Sequence, residues 1–174
     1  MAISGRAAAL VVAALVTIGC DQATKAVAIS ELAAGPDRSF LSDAVRLGYV
    51  ENTGGFLNLG AGLPPVVRTA VFTVATGLGL LALLVVAIRR RTDGWAAVGL
   101  VLLVSGGASN WLDRFMRGSV VDFLNVGLGP VRTGVFNVAD VAIMAGAVTF
   151  VLAGFRAPRA GETAVDPDRD ATPL

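Results

Sequence analysis

Apolar residues gather in four long runs separated by polar segments. Each run approaches the roughly 20 helical residues, at about 1.5 Å apiece, that cross a hydrocarbon layer about 30 Å thick. The runs are Ala7–Ile29, Val66–Ile88, Trp95–Trp111 and Val138–Phe155. The second is the clearest, an apolar run after Arg68 that stops at Arg89-Arg90-Arg91. The third is short and has Trp at both ends. Indoles favour the headgroup level, so Trp95 and Trp111 either mark its two interfaces or serve in packing.

Two polar segments between the runs, 30–65 and 112–137, carry patterns of their own. Val45-Arg46-Leu47-Gly48-Tyr49-Val50 alternates like a strand and runs into the turn signal Asn52-Thr53-Gly54-Gly55. Ser119-Val120-Val121-Asp122-Phe123-Leu124 is β-branched and short, with Gly127, Gly129 and Pro130 to end it. The expected fold is therefore a membrane all-α protein with a small β element: four transmembrane helices and a small extended layer lying on the outer surface. Basic residues flanking the runs favour placing both termini in the cytoplasm. One domain over 1–156 is expected, followed by a disordered cytoplasmic tail over 157–174 that lacks apolar periodicity. The 30–43 stretch, with Gly35-Pro36, reads as a mobile cover over the outer face.

Composition narrows the chemistry. The 174 residues are 55% hydrophobic and 16% charged, with a net charge of +1, which argues for a membrane solvent and against nucleic-acid binding. There is no His and a single Cys, so no intrachain disulfide and no His/Cys metal or haem site is expected. Catalysis would rest on carboxylates, Lys, Arg, Asn or hydroxyls, with no cofactor and no metal.

Several polar residues sit where lipid or the bilayer edge should be. Asp21 and Lys25 are one helical turn apart on the first run, so they share a face and can pair. Asn110 and Arg114 share a face at the end of the third. Asp122 lies in the Val-Val-Asp-Phe stretch, and Asp140 lies in the first turn of the last run, at the same expected interface. Two carboxyl groups brought together cannot both ionise cheaply, so such a pair can act as base and acid at once. Amide hydrolysis by an activated water needs that combination. For Asp140 the alternative is a charge favoured by the helix dipole.

The motifs Asp21-Gln22-Ala23-Thr24-Lys25, Glu51-Asn52-Thr53-Gly54-Gly55-Phe56, Gly106-Gly107-Ala108-Ser109-Asn110-Trp111-Leu112-Asp113-Arg114, Val120-Val121-Asp122-Phe123 and Phe136-Asn137-Val138-Ala139-Asp140 follow in order. With them the sequence resembles signal peptidase II, the bacterial lipoprotein signal peptidase family. The resemblance implies a catalytic dyad of Asp122 and Asp140. It implies supporting or substrate-binding roles for Asp21, Lys25, Asn52, Gly54, Gly106, Asn110, Arg114, Asn137 and Ala139. The implied substrate is a diacylglyceryl-modified prolipoprotein, cut on the amino side of its lipidated Cys by a monomer in contact with membrane lipid. The implied setting is the bacterial inner membrane, with the site near the periplasmic face. The chain departs from the family pattern at Gly55, where that pattern has Ala, and at Val141, where it has Ser. Two rivals stand beside this reading. Intramembrane carboxylates also serve a proton- or ion-coupled carrier, and Thr17-Ile18-Gly19-Cys20 imitates the end of a lipoprotein signal sequence.

Overall fold

The computed structural model describes residues 5–89, 92 and 94–156. The expected tail and Arg90 and Arg91 lie outside the described residues. Four long helices are present: α1 (Gly5–Leu32), α2 (Pro65–Arg89), α3 (Gly94–Arg117) and α4 (Val138–Arg156). All four are long and apolar enough to cross a membrane. Four strands, β1 (Arg38–Phe40), β2 (Val45–Asn52), β3 (Val120–Leu128) and β4 (Val131–Arg132), form an antiparallel sheet in that order.

Two helices outrun their apolar stretches. Helix α1 continues through Leu32, and α3 continues past Trp111 to Arg117 before Gly118, at φ +77°, ends it. The Gly118 N–H donates to the Arg114 carbonyl, closing the last turn. Polar residues in these extra turns are held by protein partners, so polarity alone does not mark the helix end. Trp111 is accordingly not at the end of the helix, and its side chain is engaged in packing. Its indole N–H donates to the Thr73 carbonyl at 2.9 Å, and its ring stacks on Phe115. The acceptor belongs to a π-helical stretch of α2, Thr69–Ala75. The Thr73 carbonyl also accepts from the Thr76 N–H, so the indole is a second donor to it.

Helices α3 and α4 make the most extensive contact in the fold. Small residues allow it: a Cβ on Gly99 would stand 2.6 Å from the Phe150 nitrogen, and one on Gly106 the same distance from the Ala139 oxygen. Between apolar helices in lipid, such close backbone packing is a main source of association. Helix α2 is the least embedded, with no residue of its most apolar window buried, and it leans on α3.

The sheet sits on the C-terminal end of α1. Ala28 and Leu32 pack with Val121 and Phe123, and Leu47, Tyr49 and Leu124 surround them. Strands β2 and β3 pair with Val50 opposite Asp122 and Asn52 opposite Val120, with an irregularity between Leu47 and Val50. Strand β3 runs through Gly127 to Leu128, further than its glycines suggest, because β2 and β4 pair along it. At the far end Asp43 joins the two hairpins, accepting from Ser39, Arg46 and Arg132. The paired Arg46 guanidinium, chiefly, holds the Asp43 carboxyl far below the usual range. The 30–43 stretch expected as a cover is instead the end of α1 and an edge strand, paired at the Val45–Leu47 end of β2 and away from Asn52.

Gly106→Val should force α3 away from α4 at Ala139, a change expected to cost about 1–3 kcal/mol. Unfolding of the purified protein in mixed micelles measures it; wild-type stability contradicts the packing described.

Candidate active site

Sequence-distant Asp122 and Asp140 are brought together by a backbone clasp. Phe136 pairs with Leu124 of β3, its N–H donating to the Leu124 carbonyl and its carbonyl accepting from the Phe123 and Leu124 N–H groups. Asn137, the next residue, is the N-cap of α4. Its Oδ1 accepts from the Asp140 N–H at 2.9 Å, and Asp140 Oδ2 accepts from the Asn137 N–H at 3.1 Å. This reciprocal capping box ties down both N–H groups and fixes the Asp140 carboxyl. Asp140 thus sits in the first turn of α4, where the helix dipole would favour a charge, and the capping hydrogen bonds orient its carboxyl.

The Asn137 side chain then reaches back. Its Nδ2 donates to Asp122 Oδ1 at 2.6 Å, so one residue donates to both carboxyl groups. Asp122 Oδ2 accepts from Asn52 Nδ2 at 2.9 Å, and Asp140 Oδ1 accepts from Asn110 Nδ2 at 2.9 Å. Every carboxylate oxygen of the pair thus has an amide donor. Asn52 Oδ1 in turn accepts from the Gly54 N–H, and the Gly54 carbonyl accepts from Arg114 Nη2 at 2.7 Å. Gly54 is pressed against the Asn58 backbone, where a Cβ would stand 2.8 Å from the carbonyl carbon. Arg114 lies 5.9 Å from the Phe72 ring centroid.

Behind this pair lies a fully buried ionic cluster. Lys25 Nζ stands 2.6 Å from Asp21 Oδ2 and 2.7 Å from Asp113 Oδ2, and donates to Asn110 Oδ1 at 2.7 Å. The ammonium thus makes one hydrogen bond, to Asn110, and close ion pairs with two carboxylates, of which Asp113 Oδ2 has no hydrogen-bond donor of its own among the described residues. Asp21 Oδ1 accepts from the Ala139 N–H in the first turn of α4 at 2.8 Å, and its Oδ2 also accepts from Ser109 Oγ. Gln22 Nε2 donates to Asp113 Oδ1 and Ser109 Oγ. Ala139 is completely buried, leaving no room for a longer side chain where α1, α3 and α4 meet.

Burial, chiefly, pushes the Asp122 carboxyl up to about 6, and the neighbouring Asp140 charge adds to the rise; the Asn52 and Asn137 amides oppose it. Two apolar grooves open beside Asp140. One of about 710 Å³ runs along α4 past Phe136, Val141 and Met144, and a cleft of about 220 Å³ lies between Asp140, Asn110, Arg114 and Phe72. Phe72 and Arg114 also line a larger groove, about 950 Å³, between α2 and α3. At Gly55, one of the departures from the family pattern, an added Cβ would stand 2.9 Å from the Phe72 ring.

All eleven residues expected at the site gather here. Asp21 and Lys25 do pair, but with more partners than their spacing implies. Sequence reasoning misses three participants: Asp113, Ser109 and Gln22. The first two lie one turn apart on the face of α3 that bears Asn110, which is the signal that could have found them. Cys20 stands exposed in the unbroken middle of α1.

The signal peptidase (SPase) II family model matches residues 13–156. This chain belongs to that family. Among its relatives is the lipoprotein signal peptidase of Mycobacterium tuberculosis, 34% identical over 145 residues, covering 80% of this chain and 67% of the relative. That of Desulforapulum autotrophicum is 37% identical over 139 residues, covering 78% and 85%. A bacterial membrane enzyme solved by the in meso method at 2.3 Å resolution shares the fold, with a TM-score of 0.74 at 23% identity over 85% of this chain and 88% of that one. The chain is a multi-pass membrane protein of a protease family that processes lipoproteins by cleaving their signal peptides.

Lys25→Met leaves two buried carboxylates facing each other without their cation. A loss of about 3–5 kcal/mol is expected, since breaking a buried pair strands charge. Unfolding in micelles reads it out, and a loss below about 1 kcal/mol contradicts the ionic cluster.

Proposed function

We propose that the chain is an aspartyl endopeptidase that removes the signal peptide from diacylglyceryl-modified prolipoproteins, cutting on the amino side of the lipidated Cys. The observation that carries this reading is the shared donor: Asn137 hydrogen-bonds Asp122 through its side chain and Asp140 through its backbone. Two carboxyl groups so held compete for one proton. Around them four carboxyl groups, Asp21, Asp113, Asp122 and Asp140, face two cations, Lys25 and Arg114, which further favours a retained proton.

We assign the retained proton to Asp122, whose carboxyl burial pushes up to about 6, with Asp140 as its base partner. Asp140 takes a proton from water as its oxygen attacks the scissile carbonyl, while Asp122 gives its proton to the carbonyl oxygen. The tetrahedral intermediate collapses when the C–N bond breaks. The proton on Asp140 passes to the departing amine, and the hydroxyl proton returns to Asp122. Asn52, Asn110 and Asn137 hold the carboxyl groups in place throughout, so little reorganisation is needed at the moment of reaction.

The substrate is amphiphilic, with an apolar signal helix and two acyl chains flanking a polar peptide bond. The grooves beside Asp140 suit it, being apolar along the helices and polar where they approach the carboxyl groups. We place the protein in the cytoplasmic membrane as a monomer, both termini cytoplasmic, with the sheet and the two Asp at the periplasmic boundary. Acyl chains can then stay in lipid while the bond to be cut meets water.

Asp122→Asn and Asp140→Asn should each lower kcat on a lipid-modified precursor by at least about 10³-fold with the protein still folded. Retained cleavage in either variant contradicts the dyad. For the wild-type enzyme, kcat/KM reports ionisations of the free protein. It should fall as pH rises through about 6, where Asp122 loses the proton it must donate. A profile that is flat from about pH 5 to 8 contradicts that assignment.

A further inference from the structure

The amide of Asn110 can serve Asp140 in only one of its two orientations. Its Nδ2 must face Asp140, because a carboxylate oxygen needs a donor and the amide oxygen would repel it. Two donors impose this orientation from the other side: Lys25 Nζ at 2.7 Å and Asn137 Nδ2 at 3.1 Å both point at Asn110 Oδ1. Lys25 is the charged one of the two, and charge-assisted bonds are the stronger. The ammonium is itself aimed by the carboxylates on either side of it, Asp21 on α1 and Asp113 on α3.

These two carboxylates have different tasks. Asp21 is engaged by α4, accepting the Ala139 N–H, as well as by Ser109. Among the described residues, the oxygens of Asp113 meet Lys25 and Gln22, both on α1, and neither α4 nor the sheet donates to them. Asp113 is 2% exposed, so its charge is maintained at a desolvation cost for the sake of those contacts.

We propose that Asp113 is a positioning residue for the cleavage reaction, acting through Lys25 to fix the orientation of the Asn110 amide against Asp140. The inference rests on the aspartyl reading above. It extends that reading to a residue that touches neither substrate nor the reacting carboxyl groups. Without the Asp113 charge, Lys25 shifts toward Asp21, Asn110 Oδ1 loses its strongest donor, and the amide flips in a fraction of molecules. Those molecules present an acceptor to Asp140 and do not cleave substrate.

A double-mutant cycle on the full-length protein in detergent or bilayer, with a diacylglyceryl-modified precursor as substrate, tests this. Asp113→Asn should lower kcat about tenfold while KM stays within about twofold, the size expected for one weakened bond to a charged group. Asn110→Ala should lower kcat about a hundredfold. The combined variant should be no worse than Asn110→Ala alone, since effects passing through one residue do not add. Multiplication of the two losses, or a wild-type kcat in Asp113→Asn, overturns the proposal. If Asp113→Asn does not accumulate as folded protein, Gln22→Leu, which strips a donor from Asp113, replaces it in the same cycle. A loss of a few-fold, absent in the Asn110→Ala background, is then expected, and an unchanged or additive kcat overturns the proposal. Asp122→Asn and Asp140→Asn, assayed alongside, keep the two ideas apart. Activity in these sinks the dyad, whereas inactivity in them with additive effects at 113 and 110 sinks only the positioning role.

Discussion

A carboxyl group taken out of water needs donors for its oxygens, and a pair of them needs donors arranged so that neither is driven back to solvent. Asn137 supplies this for Asp122 and Asp140 at once, and the rest of the fold can be followed outward from it. Its own place is set by Phe136, which pairs with β3, and by its role as N-cap of α4. The sheet is thus less a separate layer than the means by which a strand residue and a helix residue share one amide. Close packing of α3 on α4 through Gly99 and Gly106 brings Asn110 to the same place.

The ionic cluster behind the pair shows how a membrane protein can keep charge inside without exposing it. Lys25 pairs with two carboxylates and donates to Asn110, and three helices contribute these groups or bind them. Such a cluster is weak support for stability, because desolvation offsets much of the attraction. Its value lies in direction: a cation held between two carboxylates donates to the Asn110 amide oxygen, so the amide nitrogen faces Asp140. The order of the groups around Asp122 and Asp140 is thus set in part by residues that contact neither carboxyl.

Much of this is legible in the residues alone. The four apolar runs stand out because lipid tolerates little else, and the strand over Val45–Val50 shows in its alternation up to Leu47, after which its pairing becomes irregular. Asp21 and Lys25 can be paired from their spacing, and Asp122 and Asp140 from the chemistry that two carboxyl groups permit. Strands β1 and β4 are hidden because two or three residues carry no period, and their pairing comes from β2 and β3. The extra turns of α3 are hidden because Asp113 and Arg114 look like a helix reaching water. Their partners, Lys25 and the Gly54 carbonyl, lie in segments remote along the chain. Gln22, Ser109 and Asp113 escape notice for the same reason, since only the register of α1 against α3 makes them neighbours.

The most direct test of the shared proton is to observe it. Infrared titration of the protein with isotopically labelled aspartate, in wild type and in Asp122→Asn, reports carboxylic-acid C=O absorption apart from carboxylate. A protonated carboxyl is expected to persist well above the ordinary range, to disappear at about pH 6, and to be missing from Asp122→Asn. If every aspartate has ionised by about pH 4, as unperturbed side chains do, the two groups share no proton and the mechanism built on them does not hold.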